Sequence, residues 1–132
     1  MAGKTDRLVA SPQPLEKLRF HDTARLRQAQ AGGRVDRFMG STLVPEADMT
    51  LLVREVREVP DSPESISEAH SHDVSEIYAY LGELTVEVYL DDEKHVVEAP
   101  ATIFVPPGVA HRMRVVKGSG YAVVILRTGE YE

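Results

Sequence analysis

From Val35 onward the chain breaks into short runs rich in β-branched and aromatic residues, separated by clusters of Pro, Gly and Asp. The runs are RVDRFMG, MTLLVREVREV, SEIYAYL, LTVEVYL, KHVVEA, ATIFVP, HRMRVV and GYAVVILRT. Side chains of this kind pack well on a pleated surface, and the frequent breakers keep each run to strand length. Seven or eight such strands predict an all-β fold, a sandwich or a barrel. DDEK, between LTVEVYL and KHVVEA, predicts a hairpin turn, and PDSPESISEA predicts a longer polar loop. There is no internal repeat and no low-complexity segment.

The first third of the chain follows another pattern. From Ser11 to Gly33 the sequence predicts a proline-containing lead-in and a short helix, with Asp22 or Thr23 as N-cap, TARLRQAQA as body and Gly32-Gly33 as stop. This divides the chain into an N-terminal arm, residues 1–37, and a β-barrel domain, residues 38–132. With 132 residues and 42% hydrophobic content, the chain suits one core rather than two.

Charge is distributed unevenly about a net −6: residues 1–37 hold eight Lys/Arg against four Asp/Glu, and the remainder holds seven against seventeen. An acidic body without a basic stripe argues against nucleic acid as partner, because phosphate binding requires clustered positive charge. Neither a signal-like apolar segment nor a run near the roughly 20 apolar residues of a membrane span is present, so a cytoplasmic protein without membrane contact is expected. Cysteine is absent, which excludes disulfides and thiolate metal sites. Any metal would have to be held by nitrogen and oxygen.

His70 and His72, in EAHSHDVSEIYAYLG, are two residues apart on a stretch that reads as a strand. Alternation then points both side chains the same way, with Cα atoms about 6.6 Å apart, so both imidazoles can reach one ion. Glu76 shares their parity, although DVS can also turn. Two exposed histidines at a strand end would give the same spacing. In the second segment, APATIFVPPGVAHRMRV, a stiff Pro-Pro-Gly turn leads into a strand headed by His111. Proline fixes φ and glycine permits positive φ, so His111 is held in one direction. Three of the five histidines therefore lie at turn-to-strand junctions. His21, near the expected helix start, and His95, after the charged hairpin, read as solvated.

HSHDVSE resembles the first cupin motif, H-x-H-x(3)-E, at His70, His72 and Glu76, with Gly82 near the closing glycine. PPGVAH resembles the second, P-x-G-x(2)-H, at Pro106, Gly108 and His111. The pattern departs from the family at Glu64, Pro100 and Val115, and Gly82 arrives one residue early; these positions shape loops and do not bind metal. The resemblance covers roughly residues 40–128 and implies a small single-domain cupin, a double-stranded β-helix or jelly-roll barrel. In such proteins the three histidines and the glutamate hold one divalent metal ion. An N3O set suits Fe, Mn, Ni, Zn or Co, and ligand type alone does not choose among them.

With such a site, the chain is expected to be an enzyme acting on an anionic or enolisable small molecule: a dioxygenase, or a non-redox lyase, isomerase or cyclase. The alternative is a cupin that only senses or stores a small ligand. If the strand after Glu76 is regular, Tyr78 and Tyr80 face the same interior and are the catalytic candidates, or else ordinary core tyrosines. Arg54, Met113 and Phe104 are the candidate substrate-binding residues, the last two also suiting a core. Arg112 and Arg114 should face out. The terminal TGEYE reads as a solvated tail or as a strand crossing to a partner. The resemblance further implies a homodimer paired through sheets, with Ile77, Ala79 and Leu81 as exposed apolar positions.

Overall fold

The computed structural model describes residues 3–15, 35–57 and 69–131. The expected helix, with its caps and His21, lies outside these residues, as do most of the PDSPESISEA loop and Glu64. After a single 3₁₀ turn, Asp6–Leu8, the described chain is built from seven strands. They are β1 (Gln13–Pro14), β2 (Val35–Met39), β3 (Thr50–Val56), β4 (Glu76–Leu90), β5 (Glu93–Glu98), β6 (Ala101–Val105) and β7 (His111–Leu126). No helix among the described residues is long and apolar enough to cross a membrane.

The strand order is β1-β2-β3-β7-β4-β5, with β6 also on β4, and every pairing is antiparallel. β4 and β7 are the frame. The first half of β4 is flanked by β6 and by the end of β7, while its second half is flanked by β5 and by the start of β7. This is a jelly-roll barrel in which two long strands serve both walls. SEIYAYL and LTVEVYL, which read as two strands, are one, and so are HRMRVV and GYAVVILRT.

The joins persist because glycine sits where the long strands bend. Gly82 has φ +93° and Gly118 φ +97°, and a Cβ on Gly118 would lie 1.7 Å from the Glu83 carbonyl oxygen. Only hydrogen fits there, so the ladder bends without breaking. Beside it, the β4–β7 register shifts between Thr85 and Val86, leaving Val116 as the extra residue of a bulge. One extra residue reverses parity. His111, Met113 and Val115 therefore face inward before the bulge, and Ala122 and Leu126 after it. Against them β4 keeps one parity throughout, with Glu76, Tyr78, Tyr80, Leu84, Val86 and Val88 all buried.

The main core gathers around Leu84, Val86, Val88, Ile103 and Val115. A smaller cluster of Leu15, Val35, Leu52, Leu126 and Tyr131 fills the end nearest the histidines. Each fully buried aliphatic side chain contributes about 1.5–3 kcal/mol. The second cluster packs at the strand ends that carry the buried polar groups Thr50 and Glu76, both opposite Leu126.

Candidate metal centre

Two backbone junctions bring the histidine segments together. His70 and His111 form an isolated antiparallel bridge, His111 N–H donating to the His70 carbonyl at 2.8 Å and His70 N–H to the His111 carbonyl at 3.2 Å. Gly108 N–H donates to the His72 carbonyl at 2.8 Å, which ties the Pro-Pro-Gly turn to the first segment. Asp91, at the β4–β5 turn, clamps the turn from the other side, its N–H meeting the Ala110 carbonyl and its carboxylate accepting from Ala110 N–H. Two motifs 35 residues apart at their closest ligands, Glu76 and His111, thus become one rigid unit.

The side chains converge accordingly. One nitrogen from each of His70, His72 and His111 lies within 4.8 Å of the other two. Ring centroids are 4.5–5.1 Å apart, and the rings are tilted rather than stacked. Glu76, the first residue of β4 and 2% exposed, places Oε1 2.9 Å from His111 Nε2 and 3.8 Å from His72 Nε2.

His111 carries its own orienting contact. Nδ1 is 3.1 Å from the Val109 carbonyl, and a carbonyl only accepts, so Nδ1 bears the proton and Nε2 presents its lone pair to the centre. Burial works to lower the His111 pKa, but the Glu76 carboxylate and the Val109 carbonyl outweigh it and raise the pKa. Glu76 Oε1 and His111 Nε2 are both buried without an aligned hydrogen bond, although 2.9 Å apart. Acceptor atoms packed around a common point are poorly satisfied by one another and well satisfied by a cation. The set therefore fits a divalent ion with N3O ligation.

Beyond Glu76, Tyr78 and Tyr80 stand on the same inward face, 8% and 2% exposed. Their rings are stacked at 6.4 Å, and Tyr78 meets His111 edge-on at 5.8 Å. Burial and the nearby Glu76 charge push the Tyr78 phenol well above its usual pKa; burial raises Tyr80, with Arg54 opposing it. Both phenols are neutral donors at neutral pH. Arg54 shares parity with the buried Thr50, Leu52 and Val56, so it faces the interior, and burial lowers its pKa against the opposing influence of Tyr80 and Tyr78. The three-residue run LLV hid this parity; Leu51 and Val53 are the apolar residues out of phase, both on the outer face and half-buried. Met113 is buried among the core side chains around Tyr78.

Phe104 is a correction. It is 58% exposed and does not line the interior. The β4–β6 register sets Ile103 opposite Tyr78, so Ile103 and Val105 take the inward face of β6 and Phe104 the outward one. His95 is also exposed, near Glu93.

Two residues at the centre escaped the sequence reading. TGEYE is not a free tail: Tyr131 is 8% exposed and stands edge-on to His72 with centroids 5.2 Å apart. The segment is tied down by the Thr128 carbonyl to Thr50 Oγ1, the Gly129 carbonyl to Ser41, and the Tyr131 carbonyl to Arg37 Nη2 at 2.8 Å. Arg37 itself is 6% exposed. A lone aromatic in a polar stretch, and a cation centred in the alternating VDRFM, were the available signals.

The cupin domain family profile matches residues 58–127. No curated protein matches the chain in sequence. Among solved structures, an RmlC-like cupin from Shewanella frigidimarina is similar with 16% identity and a TM-score of 0.55, covering 89% of this chain and 88% of that one. KdgF from a Halomonas species is similar with 13% identity and a TM-score of 0.55, over 77% and 83%. A Bacillus subtilis oxalate decarboxylase variant aligns with 14% identity and a TM-score of 0.59 over 93% of this chain, which spans 28% of that longer protein.

Proposed function

The chain belongs to the cupin family, and on that footing we propose that it is a metal-dependent enzyme acting on an anionic or enolisable small metabolite. The observation that carries the proposal is the convergence of His70, His72, His111 and Glu76 beside two buried neutral phenols and an inward arginine. Bacillus subtilis oxalate decarboxylase, one of the similar folds, has Mn(II) centres. Four ligands of this kind would hold one divalent ion, which supplies Lewis acidity toward a carbonyl or enolate oxygen, or with iron, reactivity toward dioxygen.

The chain's own residues do the rest. His111 is aimed by Val109, and its neutral form is required for ligation. Tyr78 and Tyr80 hold protons on their phenolic oxygens and can donate them to a substrate oxygen or pass them on, in a step of general acid catalysis. Arg54 draws an anion inward. Leu84 and Val86, almost fully buried, line the interior away from the histidines and keep it apolar, so a charge there acts at low dielectric.

His72→Ala should lower metal occupancy several-fold, read by elemental analysis of the purified protein, with little loss of thermal stability in the metal-free state. Full stoichiometric metal in that variant would refute the ligand set. Turnover is tested by incubating protein loaded with Fe, Mn, Ni, Zn or Co with candidate anions, with and without oxygen, and following them by mass spectrometry. Return of every bound compound unaltered would leave a binding module instead.

A further inference from the structure

Three successive inward rows of the sheet lead away from the metal centre. Thr50, Leu126 and Glu76 form the first, Leu52, Val124 and Tyr78 the second, Arg54, Ala122 and Tyr80 the third. Rows two residues apart along a strand are about 6.6 Å apart. Arg54 and Tyr80 thus sit at one depth, with the small residue Ala122 on the strand between them. Tyr78 occupies the step between that depth and Glu76.

Arg37 and Arg54 each carry a buried guanidinium nitrogen without a hydrogen-bond partner, but Arg37 Nη2 reaches the Tyr131 carbonyl, whereas for Arg54 the buried atom is Nε and no hydrogen bond joins it to a described residue. Among the described residues, the groups that offset the effect of burial on it are Tyr80 and Tyr78, and no carboxylate is one of them. Elsewhere on the described surface three arginines do find carboxylates, Arg7 with Glu46, Arg57 with Glu55 and Arg114 with Glu87. A guanidinium facing inward without an anion is costly to keep unless a partner arrives from outside. Its planar fork of donors matches a carboxylate. A neutral phenol at the same depth adds a further donor.

We propose that Arg54, with Tyr80, is a second oxyanion subsite, so that the ligand of this protein has two oxygen-bearing ends on a short carbon chain. One end meets the centre formed by His70, His72, Glu76 and His111, and the other is a carboxylate held by Arg54. This rests on the metal-dependent reading above and narrows its substrate class from anions in general to dicarboxylates or acids with a second oxygen function. Tyr78, in the row between, faces the middle of such a ligand, where bonds to carbon would be made or broken.

The test uses calorimetric titration of Mn(II)-loaded protein with malonate, succinate, glutarate and adipate, each against the monocarboxylate of equal length. At least one dicarboxylate should bind about tenfold or more tightly than its monocarboxylate, as a charge-assisted fork permits. Arg54→Met should abolish that preference with metal stoichiometry unchanged, and Arg54→Lys should retain part of it. Because Arg54→Met removes an unpaired inward charge, the ligand-free variant should also melt no lower than the parent. No dicarboxylate preference in the parent, a preference that survives in Arg54→Met, or a lower melting temperature for that variant would each overturn the subsite. A protein that binds metal and monocarboxylates but shows no such preference refutes the subsite alone. One that holds no metal and binds no carboxylate refutes the metal-dependent reading as well.

Discussion

At Tyr78 and Tyr80 a single backbone parity sets both the burial and the chemistry of a side chain. Each lies an even number of residues from Glu76, and each is buried with it. Burial removes the phenolate from consideration, since its charge would be stranded at low dielectric. What remains is a pair of proton donors on the inward face that leads from the candidate metal centre. Tyr78→Phe and Tyr80→Phe keep the ring packing and delete only the hydroxyl. Whichever phenol transfers a proton should lower kcat by about 10²–10⁴ when replaced, with metal content intact, whereas a packing role would leave kcat near the parent value. Comparing steady-state rates of the two variants on one substrate assigns the role. His70, His72, Glu76 and His111 were legible as candidates from their spacing together with the motif resemblance. Tyr131 was not, because nothing in TGEYE shows that its carbonyl meets an arginine 94 residues earlier.

At the scale of elements, β4 and β7 carry the site on their inner face and a charged network on the outer one. Glu87 on β4 accepts from Arg114 on β7 at 2.6 and 2.9 Å and from Lys94 on β5 at 3.0 Å, joining three strands on the outer surface. The Lys94 hydrogen bond, with Arg114 and Tyr89 adding to it against some desolvation, holds the Glu87 carboxyl below its ordinary pKa of 4.5. A folded-state pKa below the unfolded one means the stabilisation is complete above about 4.5 and fades as pH falls through the lower folded value. Solvent screening keeps it small. Urea midpoints of the parent should therefore exceed those of Glu87→Gln at pH 7, and the gap should close as pH drops below 4.5. A gap independent of pH would show that the network contributes through packing instead. The merging of four expected strands into two belongs to this scale too: Gly82 and Gly118 read as breakers, and only the neighbouring strand shows that they are bends in a continuous ladder.

For the whole molecule, the outer face opposite the site is apolar. Phe104, Ile77 and Ile125 lie side by side across β6, β4 and β7, and Leu81 lies beside Tyr121. Phe104 is 58% exposed, and Leu81 and Tyr121 are each 48% exposed. A row of this kind favours association, and a second copy of the chain is the expected occupant. Light scattering at micromolar concentration should give twice the chain mass, and Phe104→Asp combined with Leu81→Asp should return it to one. A single-chain mass for the parent would show that this face stays exposed.

An all-β chain with His70, His72, Glu76 and His111 as candidate ligands was determined by the sequence and its motif resemblance, because strand periodicity, turn chemistry and motif spacing are local properties that survive without knowledge of any neighbour. Tertiary structure decided which face of β6 is the interior, and so moved Phe104 outside. It also decided that Arg54 faces in with no carboxylate among the described residues that influence it, and that Tyr131 closes on His72. Those outcomes follow from the register between strands distant in sequence and from one bulge at Val116, and a register is a relation between two segments that neither segment encodes by itself.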